Sequence, residues 1–103
     1  MRYFVKWQVF DAIPESQIMP IKEGLGKQFE RIKQSGKMLD GGCLLGIRGG
    51  YFIFELDKPA ELLNLLGPVI WDNCRIESFP VATFEELAEY FRTYAEAGVG
   101  ANI

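Results

Sequence analysis

Gly49-Gly50-Tyr51-Phe52-Ile53-Phe54-Glu55-Leu56-Asp57-Lys58-Pro59-Ala60-Glu61-Leu62 decides how this 103-residue chain folds. It reads as a turn, a strand and a helix start with almost no spacer. Gly49-Gly50 predicts the turn of a hairpin. The strand 51–56 is apolar on both faces except for one acid, Glu55. A strand buried on both faces needs cover on both sides. A small chain covers one side with its own helices. The other side calls for a second copy of the chain, a ligand, or both.

Working back from this stretch, residues 2–10 alternate. Tyr3, Val5, Trp7 and Val9 make one wholly apolar face, and Arg2, Phe4, Lys6, Gln8 and Phe10 a mixed one. Period two with aromatic and β-branched residues is a strand. After a turn at 11–13, Pro14 and Glu15 open a helix. Ile18, Ile21, Leu25, Phe29 and Ile32 recur at helical spacing. Gly24 and Gly26 cost about 1 kcal/mol each against Ala, so close packing is expected at both. Ser35-Gly36 stops this helix. Residues 37–48 predict a second strand, with a bulge, a bend or close backbone approach at Gly41-Gly42 and Gly46.

Working forward, Asp57 or Lys58 caps a short helix, Pro59 sits near its first position, and Leu62, Leu63, Leu65 and Leu66 form its core face. Gly67-Pro68 ends it, which leaves Trp71-Asp72-Asn73 in a loop. Residues 74–81 predict a fourth strand whose Pro80 suits an edge position. Arg75 and Glu77 then serve as edge-strand charges that discourage aggregation. Thr83-Phe84-Glu85-Glu86 is a capping box. It starts a last helix with Phe84, Leu87, Ala88, Phe91 and Tyr94 on one side, ended by Gly98.

The order β-α-β-β-α-β-α predicts an α+β, ferredoxin-like βαββαβ domain over residues 1–97 with an extra C-terminal helix, and a short tail over 98–103. Right-handed crossovers place the first and third strands at the centre of a four-stranded antiparallel sheet. Phe52, Phe54 and Leu56 then face the helices. Phe4, Phe10, Tyr51 and Ile53 face away, around Lys6, Gln8 and Glu55. Such a patch exceeds what a monomer normally exposes. The same face of a second subunit is its simplest cover, giving a dimeric α+β barrel.

Composition excludes several functions. The net charge of −3, with no basic cluster, argues against nucleic acid. No apolar run approaches the ~20 residues of a membrane span. No signal peptide is seen, and a cytoplasmic location with two reduced thiols, Cys43 and Cys74, is expected. There is no histidine, so the usual zinc set, an axial haem His and a His-assisted nucleophile are all missing. No metal and no cofactor is expected. Gly49-Gly50 lies between strands and so is no phosphate loop.

Candidate site residues come from the uncovered face. Glu55 and Lys6, on adjacent central strands, are read either as a proton-transferring pair or as an ion pair that fixes dimer geometry. Gln8 and Arg48 would orient a ligand, Arg48 by a bidentate clamp on a carboxylate; a solvated turn arginine is the other reading. Tyr51 and Trp71 would wall the pocket, although Trp71 equally suits a plug at the end of the core.

With these residues in place, the chain resembles the muconolactone-isomerase-like branch of the dimeric α+β barrel superfamily. The first strand matches in rhythm, with Lys6 among Tyr3, Val5, Trp7 and Val9. Gly49-Gly50, Tyr51/Ile53/Glu55, Asp57/Pro59, Trp71 and Pro80-Val81 match small barrel proteins of that kind. The resemblance covers about 90 residues. It implies a ferredoxin-like subunit, a homodimer or higher ring, and a pocket between sheet and helices. It also implies isomerase-like or cofactor-free chemistry on a small organic acid or lactone. The chain departs from the isomerase pattern where Asp40-Gly41-Gly42-Cys43 replaces a His and an Arg. The alternative is a non-enzymatic dimer module whose polar residues only hold the assembly together.

Overall fold

The computed structural model describes residues 1–96. The expected end of the last helix at Gly98 and the tail 98–103 lie outside the described residues. The elements are β1 (Arg2–Val9), a 3-10 turn (Glu15–Gln17), α1 (Ile18–Gln34), β2 (Met38–Leu44), β3 (Gly49–Glu55), α2 (Glu61–Asn73), β4 (Cys74–Val81) and α3 (Phe84–Glu96). The four strands form one antiparallel sheet in the order β2-β3-β1-β4. The fold is α+β with β1 and β3 central, as the alternation and crossover rules predict. Among the described residues no helix is long and apolar enough to cross a membrane.

Strand periodicity sets the core. Tyr3, Val5, Trp7 and Val9 of β1 are buried, with Phe52 and Phe54 of β3 and the following Leu56. They pack against Ile18, Leu25 and Ile32 of α1 and Leu62, Leu65, Leu66 and Ile70 of α2. Burying such a side chain stabilises by roughly 1.5–3 kcal/mol. Pro20 lies in the first turn of α1, where a missing N–H costs no helical bond. Gly24 is held by Val69, whose Cγ2 lies 2.9 Å from where a Cβ would stand. The matching expectation for Gly26 fails, because nothing lies within 4 Å of its Cβ position.

Four other local expectations are corrected. The hairpin turn is Leu45–Arg48, with Gly46 at φ 97°, and Gly49-Gly50 are strand residues opposite Gln8 and Trp7. Glycine is needed there because neighbours fill the space: the Trp7 backbone carbonyl occupies the Cβ site of Gly49, and the Gly42 carbonyl, with the Trp7 indole beside it, that of Gly50. A bulge, one reading of the β2 glycines, falls instead at Leu39, between Met38 and Asp40, whereas the close backbone approach is found at Gly41, whose Cβ site lies 3.2 Å from the Tyr51 carbonyl. The start of α2 has no side-chain cap from Asp57 or Lys58. Instead the Glu61 carboxylate accepts the N–H groups of Asp57 (2.8 Å) and Lys58 (3.2 Å). Leu63 is exposed rather than core.

The largest departure is in α2. Gly67 takes φ 67° and ψ 171°, which kinks the helix, but Pro68 restarts it. Trp71, Asp72 and Asn73 are therefore helical, not in a loop. The kink leaves the Leu65 carbonyl without its helical partner, and the buried Gln28 amide donates to it at 2.7 Å. Arg31 in turn donates to Gln28 Oε1 at 3.3 Å. This explains a buried polar residue on the core face of α1, which hydrophobic periodicity could not anticipate.

Beside the kink, Lys37 and Glu61 pair at 2.7 Å. The Lys37 bond, with the two backbone donors, holds the Glu61 carboxyl down at about 2 from an ordinary 4.5, and raises Lys37 above 10.5. A lowered carboxyl pKa contributes stability that is complete above pH 4.5 and lost as pH falls toward 2. Thermal melts followed by circular dichroism should show the Tm of the wild type falling through this window. Glu61→Gln should start from a lower Tm and fall less. Equal slopes would show that the pair does not contribute.

Candidate functional site

Antiparallel register arranges the face of the sheet turned away from α1 and α2 into cross-strand rows. One row is Asp40, Ile53, Phe4 and Phe79; the next is Gly42, Tyr51, Lys6 and Glu77; beyond it lie Gly49, Gln8 and Arg75. At the opposite end Glu55, Arg2 and Val81 align. The first row is apolar at its centre. Phe4 stacks on Tyr51 with ring centroids 5.9 Å apart, and Phe79 is 54% exposed. The uncovered face is thus real, and the described residues leave it open.

The register also decides which candidate residues meet. Lys6 sits between Tyr51 and Glu77, and Gln8 between Gly49 and Arg75. Glu55 stands opposite Arg2, four residues along the strand from Tyr51, or about 13 Å at the usual rise. Lys6 and Glu55 share a face but are not neighbours, which corrects the expected pair. Glu55 instead pairs with the Met1 ammonium at 3.0 Å and Arg2 Nε at 3.6 Å. Tyr51 donates to Asp40 Oδ2 at 3.2 Å, and the facing Asp40 charge raises the phenol pKa.

Arg48 does not point into this face as a free clamp. Its guanidinium donates to the carbonyls of Phe10 (2.6 Å) and Ile13 (3.1 Å) and so ties the loop after β1 to the hairpin. Trp71 belongs to the second segment of α2, across the sheet from Tyr51, and is 37% exposed. The structure therefore brings Lys6, Gln8 and Tyr51 together and separates Glu55, Arg48 and Trp71 from them.

A second concavity lies on the helix side of the sheet, where the resemblance implied a pocket without naming these lining residues. Between α1 and the β2–β3 hairpin lies a cleft of about 420 Å³, lined by Trp7, Ile18, Lys22, Leu25, Cys43 and Arg48 among others. On the other flank of Trp7 a smaller hollow of about 170 Å³ is walled by Phe29, Met38 and Phe52. Trp7 borders both, is 8% exposed, and its buried Nε1–H has no partner among the described residues. An orphaned buried donor costs about 1–3 kcal/mol, so an acceptor in this region would be favoured. Cys43 is exposed at the hairpin, whereas Cys74 is buried and its thiol is pushed up to about 11. The available signal was a tryptophan on the core face of β1 and, in the hairpin, Gly41, Gly42 and Gly46. Those glycines announced close approach but not what approached them.

No family model matches the chain, and no curated protein matches it. Among solved structures, muconolactone isomerase, known from a crystal structure at 3.3 Å resolution, is similar with a TM-score of 0.64. The likeness covers 81% of this chain and 90% of that chain at 17% sequence identity. At that identity the likeness shows the fold: the muconolactone-isomerase-like α+β arrangement suggested by the first strand and the Tyr51–Glu55 block is present.

Proposed function

We propose that the chain is a homodimeric α+β barrel that binds a small organic acid or lactone, with isomerase-like or cofactor-free chemistry. The observation that carries the binding reading is the orphaned Trp7 N–H at the wall between two clefts. A carboxylate or lactone oxygen is the kind of acceptor that this indole N–H lacks. The apolar walls Ile18 and Leu25 take the carbon skeleton, and Lys22 provides a cation at the rim. The shared fold with an isomerase supports the chemical class. Lys6, Gln8 and Tyr51 belong to the same reading as the polar cluster of the sheet face, where a facing subunit would desolvate them.

The test uses the chain's two tryptophans. Titration with benzoate and with γ-butyrolactone, followed by the two indole N–H resonances, should move that of Trp7 and leave that of Trp71 in place. Trp71→Phe assigns the signals. No shift at millimolar ligand, or shifts confined to the amides around Lys6 and Tyr51, would overturn the cleft. The second reading, a non-enzymatic dimer module, draws on the engagement of Arg48 and Glu55 in backbone and terminal contacts. It predicts no shift in either place.

A further inference from the structure

α3 is a formed helix that buries none of its side chains among the described residues. Its polar residues Glu85, Glu86, Glu89, Arg92 and Glu96 take one side, and Phe84, Leu87, Phe91 and Tyr94 the other. Phe84 is 91% exposed, Phe91 60% and Leu87 44%, and no residue of α3 is buried. Among the described residues, the apolar stripe of this helix therefore joins no core. Helices under about 12–15 residues are marginal in water on their own. The capping box is made, with Thr83 and Glu86 bonding reciprocally at 3.0 Å, but it secures only the first turn.

The geometry directs α3 outward. Only Ala82 and Thr83 separate it from β4. The described chain has a longest dimension of 60 Å and a radius of gyration of 17.9 Å, against about 13 Å for a compact domain of this length. One chain thus presents two uncovered apolar surfaces: the sheet row of Ile53, Phe4 and Phe79, and the α3 stripe.

Area and charge indicate what covers them. Four strands of seven or eight residues give the sheet a footprint of roughly 450 Å². A stable dimer buries about 800 Å² on each partner. The α3 stripe, about 20 Å long and 10 Å wide, adds roughly 200 Å² of footprint toward that requirement. The charge distribution then selects body over arm. α3 carries four glutamates and one arginine, net −3, which equals the net charge of the whole chain. The other residues carry ten acids and ten bases, so the body is neutral. Two arms packed together would oppose −3 with −3, whereas an arm on a partner's body meets no net repulsion.

We infer that α3 is an exchange arm. In a two-fold dimer each arm leaves the end of its own sheet and lays its stripe on the body of the second copy, where it closes the barrel. This rests on the sheet-to-sheet dimer proposed above and adds what seals it.

The experiment keeps the full chain. Leu87→Glu/Phe91→Glu alters two exposed side chains, so the far-ultraviolet spectrum and the Tm of the dilute monomer should stay unchanged. Sedimentation from nanomolar to micromolar concentration should show dimerisation at least 100-fold weaker than in the wild type. A spin label at Glu96→Cys, in a Cys43→Ser background, mixed with an unlabelled 15N chain, should broaden amides of that second chain. A dimer indifferent to the double substitution, or a 15N chain whose amides show no broadening, overturns the exchange and leaves the sheet contact standing. A monomeric wild type overturns both.

Discussion

Gly49→Ala is expected to lower the melting temperature of this chain by more than about 15 °C. The added methyl would stand on the backbone carbonyl of Trp7 and 3.0 Å from the Cα of Gln8. A side chain can rotate away from such a clash, but a central-strand backbone cannot. Relief requires opening the β1–β3 ladder where Gly49 pairs with Gln8. A loss of about 4 kcal/mol or more follows. That is much of the 5–15 kcal/mol typical of a domain, and at 4–8 °C per kcal/mol it lowers the Tm by more than about 15 °C. Urea titration gives the comparison. Gly26→Ala, on open helix surface, serves as the control and should be neutral or stabilising by up to about 1 kcal/mol. Equal effects at the two sites would refute the account of Gly49 as a close-approach residue.

Phe4→Asp should abolish dimerisation while leaving the subunit folded. Phe4 lies in the row between Ile53 and Phe79 and stacks on Tyr51. Its side chain points away from Val5 and the core, so the fold does not depend on it. An aspartate there would be desolvated against a facing sheet with no cation in its own row, and one removed hot spot costs 2 kcal/mol or more. Sedimentation at micromolar concentration should give a dimer for the wild type and a monomer for Phe4→Asp, a weakening of at least about 100-fold. Phe4→Leu should remain dimeric. A dimer that tolerates the charge would place the contact elsewhere on the subunit.

Much of this arrangement is legible in residue order. Period-two alternation in Tyr3–Val9 and Tyr51–Leu56 separates buried from open faces, because successive side chains on a strand must point to opposite sides. Thr83 and Glu86 announce the start of α3 because the capping box is made within four residues. Glu61 was harder to read: it lies past the apparent cap residues, and its reach back to Asp57 and Lys58 shows only once the chain is bent. Gly67-Pro68 has the local form of a helix end. The packing of Ile70 and the Gln28 bond to Leu65 allow the helix to resume after it.

Sequence alone determined the element order, the buried side of each strand and the existence of an uncovered sheet face, because periodicity, capping and turn chemistry act over a few residues. Tertiary structure decided the register that separates Lys6 from Glu55. It set Arg48 on two loop carbonyls, left the Trp7 N–H without a partner beside a cleft, and sent α3 away from the body. These depend on which distant segments meet and at what offset, and that is settled by the packing of the whole sheet on its helices rather than by the spacing of residues along any one strand.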